Sequence, residues 1–195
     1  MADTNTDCFL ERQQILFECE STALEVPESE RYAFVFEQLL DRSSPPIEPD
    51  DVFLGRMVEG PCPDPSAPPA LHGSFIHSMG HATLDWPELL TKGLSRIGAD
   101  IRARAVRQNT GEGTAFAAQS TRCIDAVLRF AGRYRVAARQ ASSSATPETA
   151  FLLRQAAEAL EVCPKGPVRD FFSALQSLWL IPSWLSASWY LRISG

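Results

Sequence analysis

Apolar residues recur with a helical period along most of the chain. The pattern is clearest over residues 28–41, where apolar positions follow the i, i+3, i+4, i+7, i+8 spacing of an amphipathic helix: Tyr32, Val35, Phe36, Leu39 and Leu40. Less regular one-sided patterns occupy four further stretches: 7–24, 85–105, 116–134 and 147–160. The spacing therefore predicts a mainly α-helical protein.

Local signals mark the start of the helix that is predicted near residue 86. Asp85 is followed by Pro87 in the predicted first turn and by Glu88 three residues later, a combination typical of a helix N-terminus. Gly93 then interrupts the apolar face, although glycine inside a helix costs about 1 kcal/mol relative to alanine. Close approach of another stretch of backbone would explain this glycine.

Two segments of the first half are predicted to be non-helical. Residues 43–50 are rich in proline and serine, and the next residues read as a short extended piece that ends at Gly55. Residues 59–70 contain five prolines, which favour an open path. Because the 58 residues before this stretch could bury little apolar surface alone, we interpret it as a long surface loop within one domain, residues 1–195.

The last segment, residues 171–191, differs from the others because it has no charged residue and is apolar on every side. A helix of this kind lies either inside a larger protein or in a membrane. Gln176, Pro182 and five serines make the membrane interpretation the less favoured one. The segment then predicts a buried element whose surrounding protein is not part of these 195 residues.

Charge and cysteine usage narrow the function classes. The net charge of −6 argues against a nucleic-acid-binding surface, which needs clustered basic residues. The five cysteines have wide spacings without a C-x-x-C pair, and the polar amino terminus lacks the pattern of a signal peptide. We therefore expect free thiols in a cytoplasmic protein.

The three histidines, His72, His77 and His81, fall within ten residues. His77 and His81 have the i, i+4 spacing of a zinc pair, but neighbouring glycines disfavour a helix there and no carboxylate stands at the usual ligand spacing. The segment therefore predicts no metal site, and the chain shows no motif for a nucleotide or other cofactor. The residues by themselves support a mainly helical soluble domain.

Four segments carry short motifs in a fixed order. They are 47–55, which ends in Val52-Phe53-Leu54-Gly55; 77–94, which contains Gly80-His81 and Asp85-Trp86; 124–134, which ends in Arg133-Tyr134; and 167–179, which contains Gln176 and Trp179. Together they resemble, in order and spacing, segments of the glycyl radical enzymes, the relatives of pyruvate formate-lyase and of glycerol and diol dehydratases. The resemblance extends over nearly the whole chain.

This resemblance implies both a fold and a chemistry. Glycyl radical enzymes are ten-stranded α/β barrels wrapped by helices, so the chain would be the helical amino-terminal portion of such a barrel, with short extended segments. Members are activated by a radical SAM enzyme in anaerobic metabolism. They store a radical on a backbone glycine near the carboxyl terminus and pass it to a cysteine in the barrel. None of the five cysteines here has a matching context, so we assign no catalytic residue.

One position of the family motif implies a substrate contact. In glycerol and diol dehydratase-like members, the histidine of the Gly-His segment lines the substrate pocket and hydrogen-bonds a substrate hydroxyl, and His81 stands at that position. An imidazole suits this role because it can donate or accept a proton near neutral pH. A packed histidine at a helix start is the other interpretation of His81.

The expected function is that of a radical lyase or dehydratase fragment, truncated and inactive alone. Its expected partner is the missing carboxyl-terminal barrel portion, or another copy of the chain through residues 171–191. Two other interpretations stay open. One is a stand-alone helical module that binds a partner chain or an activating enzyme, and the other is a protein anchored in a membrane through residues 171–191.

Overall fold

The computed structural model describes residues 4–55 and 84–188. Within them the chain forms six α-helices and no strand. The helices are α1 (Thr4–Glu25), α2 (Glu28–Arg42), α3 (Trp86–Gln108), α4 (Gly111–Ser142), α5 (Pro147–Val162) and α6 (Phe171–Ser188). The predicted mainly α-helical character is confirmed. Residues 52–55, which the sequence indicated as a short extended piece, lie outside any helix and form no strand.

Helix α4 lies at the centre of the bundle and packs against α2, α3 and α5. Its buried side supplies more of the main core than any other helix: Ala126, Val127, Phe130, Ala131, Tyr134 and Ala138. Helix α1 packs mainly on α2 through a second apolar cluster, in which Leu16 and Cys19 meet Val35 and Leu39. The core is therefore built around α4, with α1 as an outer layer.

The predicted apolar face of α2 is correct except at its first position. Val35, Phe36, Leu39 and Leu40 are buried, whereas Tyr32 is 49% exposed. The Tyr32 ring stacks on Phe36 with centroids 6.1 Å apart. Tyr32 therefore covers the edge of the core instead of entering it, because it lies in the first turns of the helix.

Side chains at three helix starts satisfy backbone amides that have no partner within the helix. The carboxylate of Asp85 accepts a hydrogen bond from the Glu88 amide at 3.0 Å, as the sequence predicted. Thr110 and Thr146 do the same at the starts of α4 and α5. Asn109, in the left-handed conformation with φ 49°, ends α3 and permits the sharp turn into α4.

Gly93 marks a break inside α3, where its backbone has φ 72° and ψ 162°. A Cβ atom at this position would lie 2.4 Å from the Cα of Gly166, in the connection between α5 and α6. Next to the break, the amides of Leu94 and Ser95 donate to the carbonyls of Pro164 and Lys165 at 2.8 and 3.0 Å. The backbone approach that the sequence suggested is thus confirmed, and its partner is the α5–α6 connection.

The same connection is bonded to α3 on the amino-terminal side of the break. The Val168 amide donates to the Leu90 carbonyl at 2.9 Å. These bonds give partners to backbone groups that the break in α3 and the non-helical connection would otherwise leave unpaired. The first half of α3 is therefore fixed to the segment that leads into α6.

Among the described residues, no helix combines the length and the apolar character that spanning a bilayer requires.

We predict that Gly93→Ala lowers the free energy of unfolding by about 2–5 kcal/mol, because alanine both strains this backbone conformation and overlaps Gly166. Urea denaturation of the purified chain measures the change. The matched control is Gly132→Ala in α4, where an added Cβ meets nothing within 4 Å. That control should raise stability by about 0.5–1 kcal/mol, since the glycine stands inside a regular helix. Equal effects of the two substitutions would contradict the account of Gly93.

Candidate functional site

The predicted substrate-contacting residue, His81, lies outside the described residues, as do His72, His77 and the proline-rich loop 59–70. The role of His81 therefore stays a prediction. The residues that come next in the chain are fixed in place, because Leu84 packs against the main core and Asp85 caps α3. The segment that carries His81 is therefore followed by α3, which is bonded to the α5–α6 connection on both sides of its break at Gly93.

Two of the four motif segments contact each other through the side chain of Gln176 in α6. The Leu54 amide donates to Oε1 of Gln176 at 2.9 Å, and Nε2 of Gln176 donates to the Leu54 carbonyl at 2.6 Å. Both residues are fully buried. The carboxamide therefore acts as acceptor and as donor, and it satisfies both polar groups of the Leu54 backbone.

Trp179, one turn after Gln176, extends this contact to the next residue. Its indole Nε1 donates to the Gly55 carbonyl at 2.7 Å. Gly55 has φ 129°, a conformation that favours glycine. The rings of Phe53 and Phe172 also pack, with centroids 5.0 Å apart. Gln176 and Trp179, which are three residues apart on α6, thus hold the consecutive residues Leu54 and Gly55 against the helix.

The start of α6 is held by a compact set of local hydrogen bonds. The Asp170 carboxylate accepts from the Ser173 amide at 2.7 Å, and Oγ of Ser173 accepts from the Arg169 amide at 3.0 Å. The hydrogen bond from the Ser173 amide is the main cause that lowers the pKa of Asp170. Further along, Oγ of Ser177 donates to the Ser173 carbonyl at 3.1 Å. The described buried polar side chains of α6, Ser173, Gln176 and Ser177, therefore have partners.

In α6, polar side chains lie on the buried side and large apolar side chains lie on the exposed side. Ser173, Gln176 and Ser177 lie on its buried side, beside Leu180 and Ile181. Phe171 is 77% exposed and Trp179 is 46% exposed on the opposite side. We call these two residues, with the half-buried Leu175 and Leu178, the α6 ridge. A large apolar surface of this kind marks a contact site, because soluble proteins seldom leave one uncovered.

The Arg-Tyr motif at the end of the third segment has a structural role between α2 and α4. Arg129 forms ion pairs with Glu37 and Asp41, each at 2.8 Å, and its hydrogen bonds to Asp41 raise its pKa. Arg133 donates to the Leu40 carbonyl and lies over the Phe130 ring at 5.1 Å. Burial lowers the pKa of Arg133. These arginines connect α4 to α2.

A groove of about 830 Å³ runs beside these arginines along α4. Its lining includes Asp41, Arg129 and Arg133, whose charged groups already bond to protein atoms. A second groove of about 470 Å³ shares Arg129, Gly132 and Arg135 with the first. Because the charged groups of Asp41, Arg129 and Arg133 are already used in bonds between α2 and α4, we assign the candidate functional surface to α6 instead.

In the described part of the chain, Cys19, Cys123 and Cys163 are free thiols. Burial raises the pKa of Cys123 to about 11, and burial also raises the pKa of Cys19 and Cys163. These three thiols are therefore protonated at neutral pH. No group of three metal-ligating side chains converges within residues 4–55 and 84–188.

Comparisons with known proteins identify a family and a set of similar folds. A family model described as pyruvate formate lyase-like matches residues 69–188. A glycyl radical enzyme from Archaeoglobus fulgidus has a similar structure, with TM-score 0.74 and 17% identity over 91% of this chain and 32% of that chain. No curated protein sequence matches the chain.

Two further solved structures are similar to this chain. A protein of 1,2-propanediol dehydration in Roseburia inulinivorans matches with TM-score 0.75 and 17% identity, over 91% of this chain and 30% of that chain. The glycerol-bound form of the B12-independent glycerol dehydratase from Clostridium butyricum matches with TM-score 0.77 and 12% identity, over 91% and 32%. The chain thus spans about a third of the length of the solved proteins that it resembles.

We predict that Gln176→Leu lowers the free energy of unfolding by about 2–4 kcal/mol, because both polar groups of the buried Leu54 backbone lose their partner. Gln140→Leu, at an exposed position of α4, is the control and should change stability by less than about 0.5 kcal/mol. Denaturant titration followed by tryptophan fluorescence measures both. A Gln176→Leu protein as stable as the control would show that the carboxamide is dispensable.

Proposed function

Because this chain belongs to the pyruvate formate lyase-like family, we propose that it is the helical amino-terminal portion of a radical lyase or dehydratase. In this proposal its helices wrap a barrel that carries the radical chemistry. The likeness to three glycyl radical or dehydratase structures over about a third of their length supports the architecture. The reaction and the substrate class are carried over from the family resemblance.

The observation that carries the proposal is the polarity of α6. Its ridge leaves Phe171 and Trp179 exposed, while Gln176 is buried. Burying a large apolar side chain contributes about 1.5–3 kcal/mol, so a covered ridge is strongly favoured over a solvated one. In the solved relatives about two thirds of the chain lies outside the matched region. We therefore propose that the barrel portion covers the ridge, with self-association through residues 171–191 as the alternative.

In the same proposal His81 contributes a hydrogen bond to a substrate hydroxyl. Support comes from the family motif Gly80-His81 and from the dehydratase folds among the similar structures, one of which is a glycerol-bound form. The described residues would help by fixing the chain on either side of the His81 segment. Gln176 holds Leu54 and Trp179 holds Gly55 before it, and the Gly93 junction holds α3 after it. This arrangement would limit where an imidazole between them can lie.

The 195 residues are not expected to turn over substrate by themselves. In the family the stored radical and the barrel cysteine belong to parts of the protein that the four motifs do not include. A radical SAM activating enzyme would act on the assembled protein in the cytoplasm. A stand-alone helical binding module is the second candidate, and it would use the same exposed ridge to hold a partner chain.

Sequencing the DNA that lies beyond codon 195 tests the proposal directly. We expect one reading frame to encode alternating strands and helices, then a barrel cysteine, and finally a glycine loop near its end. The isolated chain, treated anaerobically with a radical SAM activating enzyme, should give no glycyl radical signal in electron paramagnetic resonance.

The behaviour of the isolated chain provides the second arm of this test. Sedimentation should show association of the wild-type chain, and Phe171→Gln, at the most exposed residue of the α6 ridge, should shift the chain towards the monomer. Val106→Gln with Phe116→Gln, at two exposed positions away from α6, is the matched control and should leave association unchanged. A wild-type monomer, together with downstream DNA that encodes no barrel, would contradict the proposal and favour the binding module.

A further inference from the structure

The buried apolar residues of the described helices form two separate clusters that share no residue. The larger cluster is the main core around α4 and α5. Among the described helices, only α2 makes an extensive contact with α1. Loss of that contact therefore leaves the main core intact. The smaller cluster, which holds α1 on α2, consists of these buried residues: Ile15, Leu16, Cys19, Ala23, Val35 and Leu39.

Helix α2 belongs to both clusters through different side chains. Phe36 and Leu40 enter the main core, whereas Val35 and Leu39 pack in the cluster with α1. The ion pairs of Arg129 also connect α4 to α2 without any atom of α1. Helix α2 can therefore stay docked on α4 while α1 leaves.

The polar contacts between α1 and the end of α2 lie at the surface. Glu18 pairs with Arg42, and the Glu11 carboxylate accepts a hydrogen bond from the Ser44 amide at 3.0 Å. Ion pairs between exposed side chains contribute little to stability, because water solvates the separated charges nearly as well. The smaller apolar cluster is therefore the main interaction that holds α1 in place.

The connection between α1 and α2 is short and is bonded to α2. Helix α1 ends at Glu25 and α2 begins at Glu28, so Val26 and Pro27 form the link. The Arg31 side chain of α2 donates to the Val26 carbonyl at 3.0 Å. Backbone rotation at such a link can move α1 as one unit while α2 stays in place.

We propose that α1 is a displaceable cover. It leaves α2 as one unit while α2 to α6 stay folded, and it then exposes an apolar strip that contains Val35 and Leu39. Parts of a protein with few buried apolar contacts open at a lower free energy than its core does. The open state is therefore populated more often than the unfolded state. This opening does not depend on the proposed enzymatic function.

Two buried free thiols report on the two clusters separately. Cys19 belongs to the smaller cluster and Cys163 belongs to the main core. Iodoacetamide labels such a thiol when an opening exposes it, and peptide mass spectrometry measures each rate on the full 195-residue chain. Each rate is divided by the rate of the same thiol in the urea-unfolded chain. We expect Cys19 to be labelled at least about tenfold faster than Cys163 on this scale.

Two matched substitutions identify the opening that exposes each thiol. Leu153→Ala, in the main core, destabilises the closed and the open state alike. It should speed the labelling of Cys163 by at least about thirtyfold and change that of Cys19 by less than about twofold. Leu16→Ala, in the smaller cluster, destabilises only the closed state and should speed the labelling of both thiols by at least about tenfold.

Circular dichroism checks that each variant is folded. If Leu153→Ala is not, Leu153→Val removes a single methylene and should speed the labelling of Cys163 alone by about threefold.

Two results would overturn the proposal. Equal acceleration of Cys19 and Cys163 by the substitution at Leu153 would show that α1 leaves α2 only when the whole chain unfolds. No acceleration of Cys19 by Leu16→Ala would show that the reagent reaches this thiol without displacement of α1.

Discussion

The buried carboxamide of Gln176 is the interaction on which the organisation of this region depends. It bonds both polar groups of the Leu54 backbone in a position that water does not reach. A non-helical segment against a helix needs such partners when its amides and carbonyls do not pair within the segment. On the same helix Ser173 and Ser177 are also buried, whereas Phe171 is exposed and Trp179 is 46% exposed with its indole nitrogen bonded to Gly55. Helix α6 thus takes part both in the internal contact with Leu54 and in the exposed α6 ridge.

At Gly93, too, backbone groups without helical partners need hydrogen bonds. Here both the donors and the acceptors belong to the backbone. The break in α3 leaves amides without helical partners, and the carbonyls of Pro164 and Lys165 accept from them. Only glycine can occupy position 93, because both its conformation and its distance to Gly166 exclude a side chain. The two junctions fix the chain before and after the segment that carries His81.

Local features of this fold were predictable from the sequence, whereas the long-range junctions were not. The apolar spacing predicted α2, and Asp85 predicted the start of α3, because both signals act within a few residues. Gly93 indicated a close approach, but nothing in the periodicity identified Gly166 as its partner. Gln176 counted in the sequence only as a motif residue and as an argument against a membrane helix. Its bonding to Leu54 requires the fold, since the two residues are 122 positions apart. Tyr32 belongs to the predicted apolar face but is 49% exposed, because spacing cannot show where neighbouring helices end.

The central claim is that the hydrogen bonds between α6 and the Leu54 backbone are as stable as the backbone hydrogen bonds inside the core helices. Native-state hydrogen exchange at the Leu54 amide, followed by nuclear magnetic resonance, tests it most directly. This amide lies outside any helix and donates to Gln176. The account predicts that it exchanges only with global unfolding, at a protection close to that of the buried centre of α4. Exchange at the rate of an unstructured peptide, while α4 stays protected, would contradict the claim.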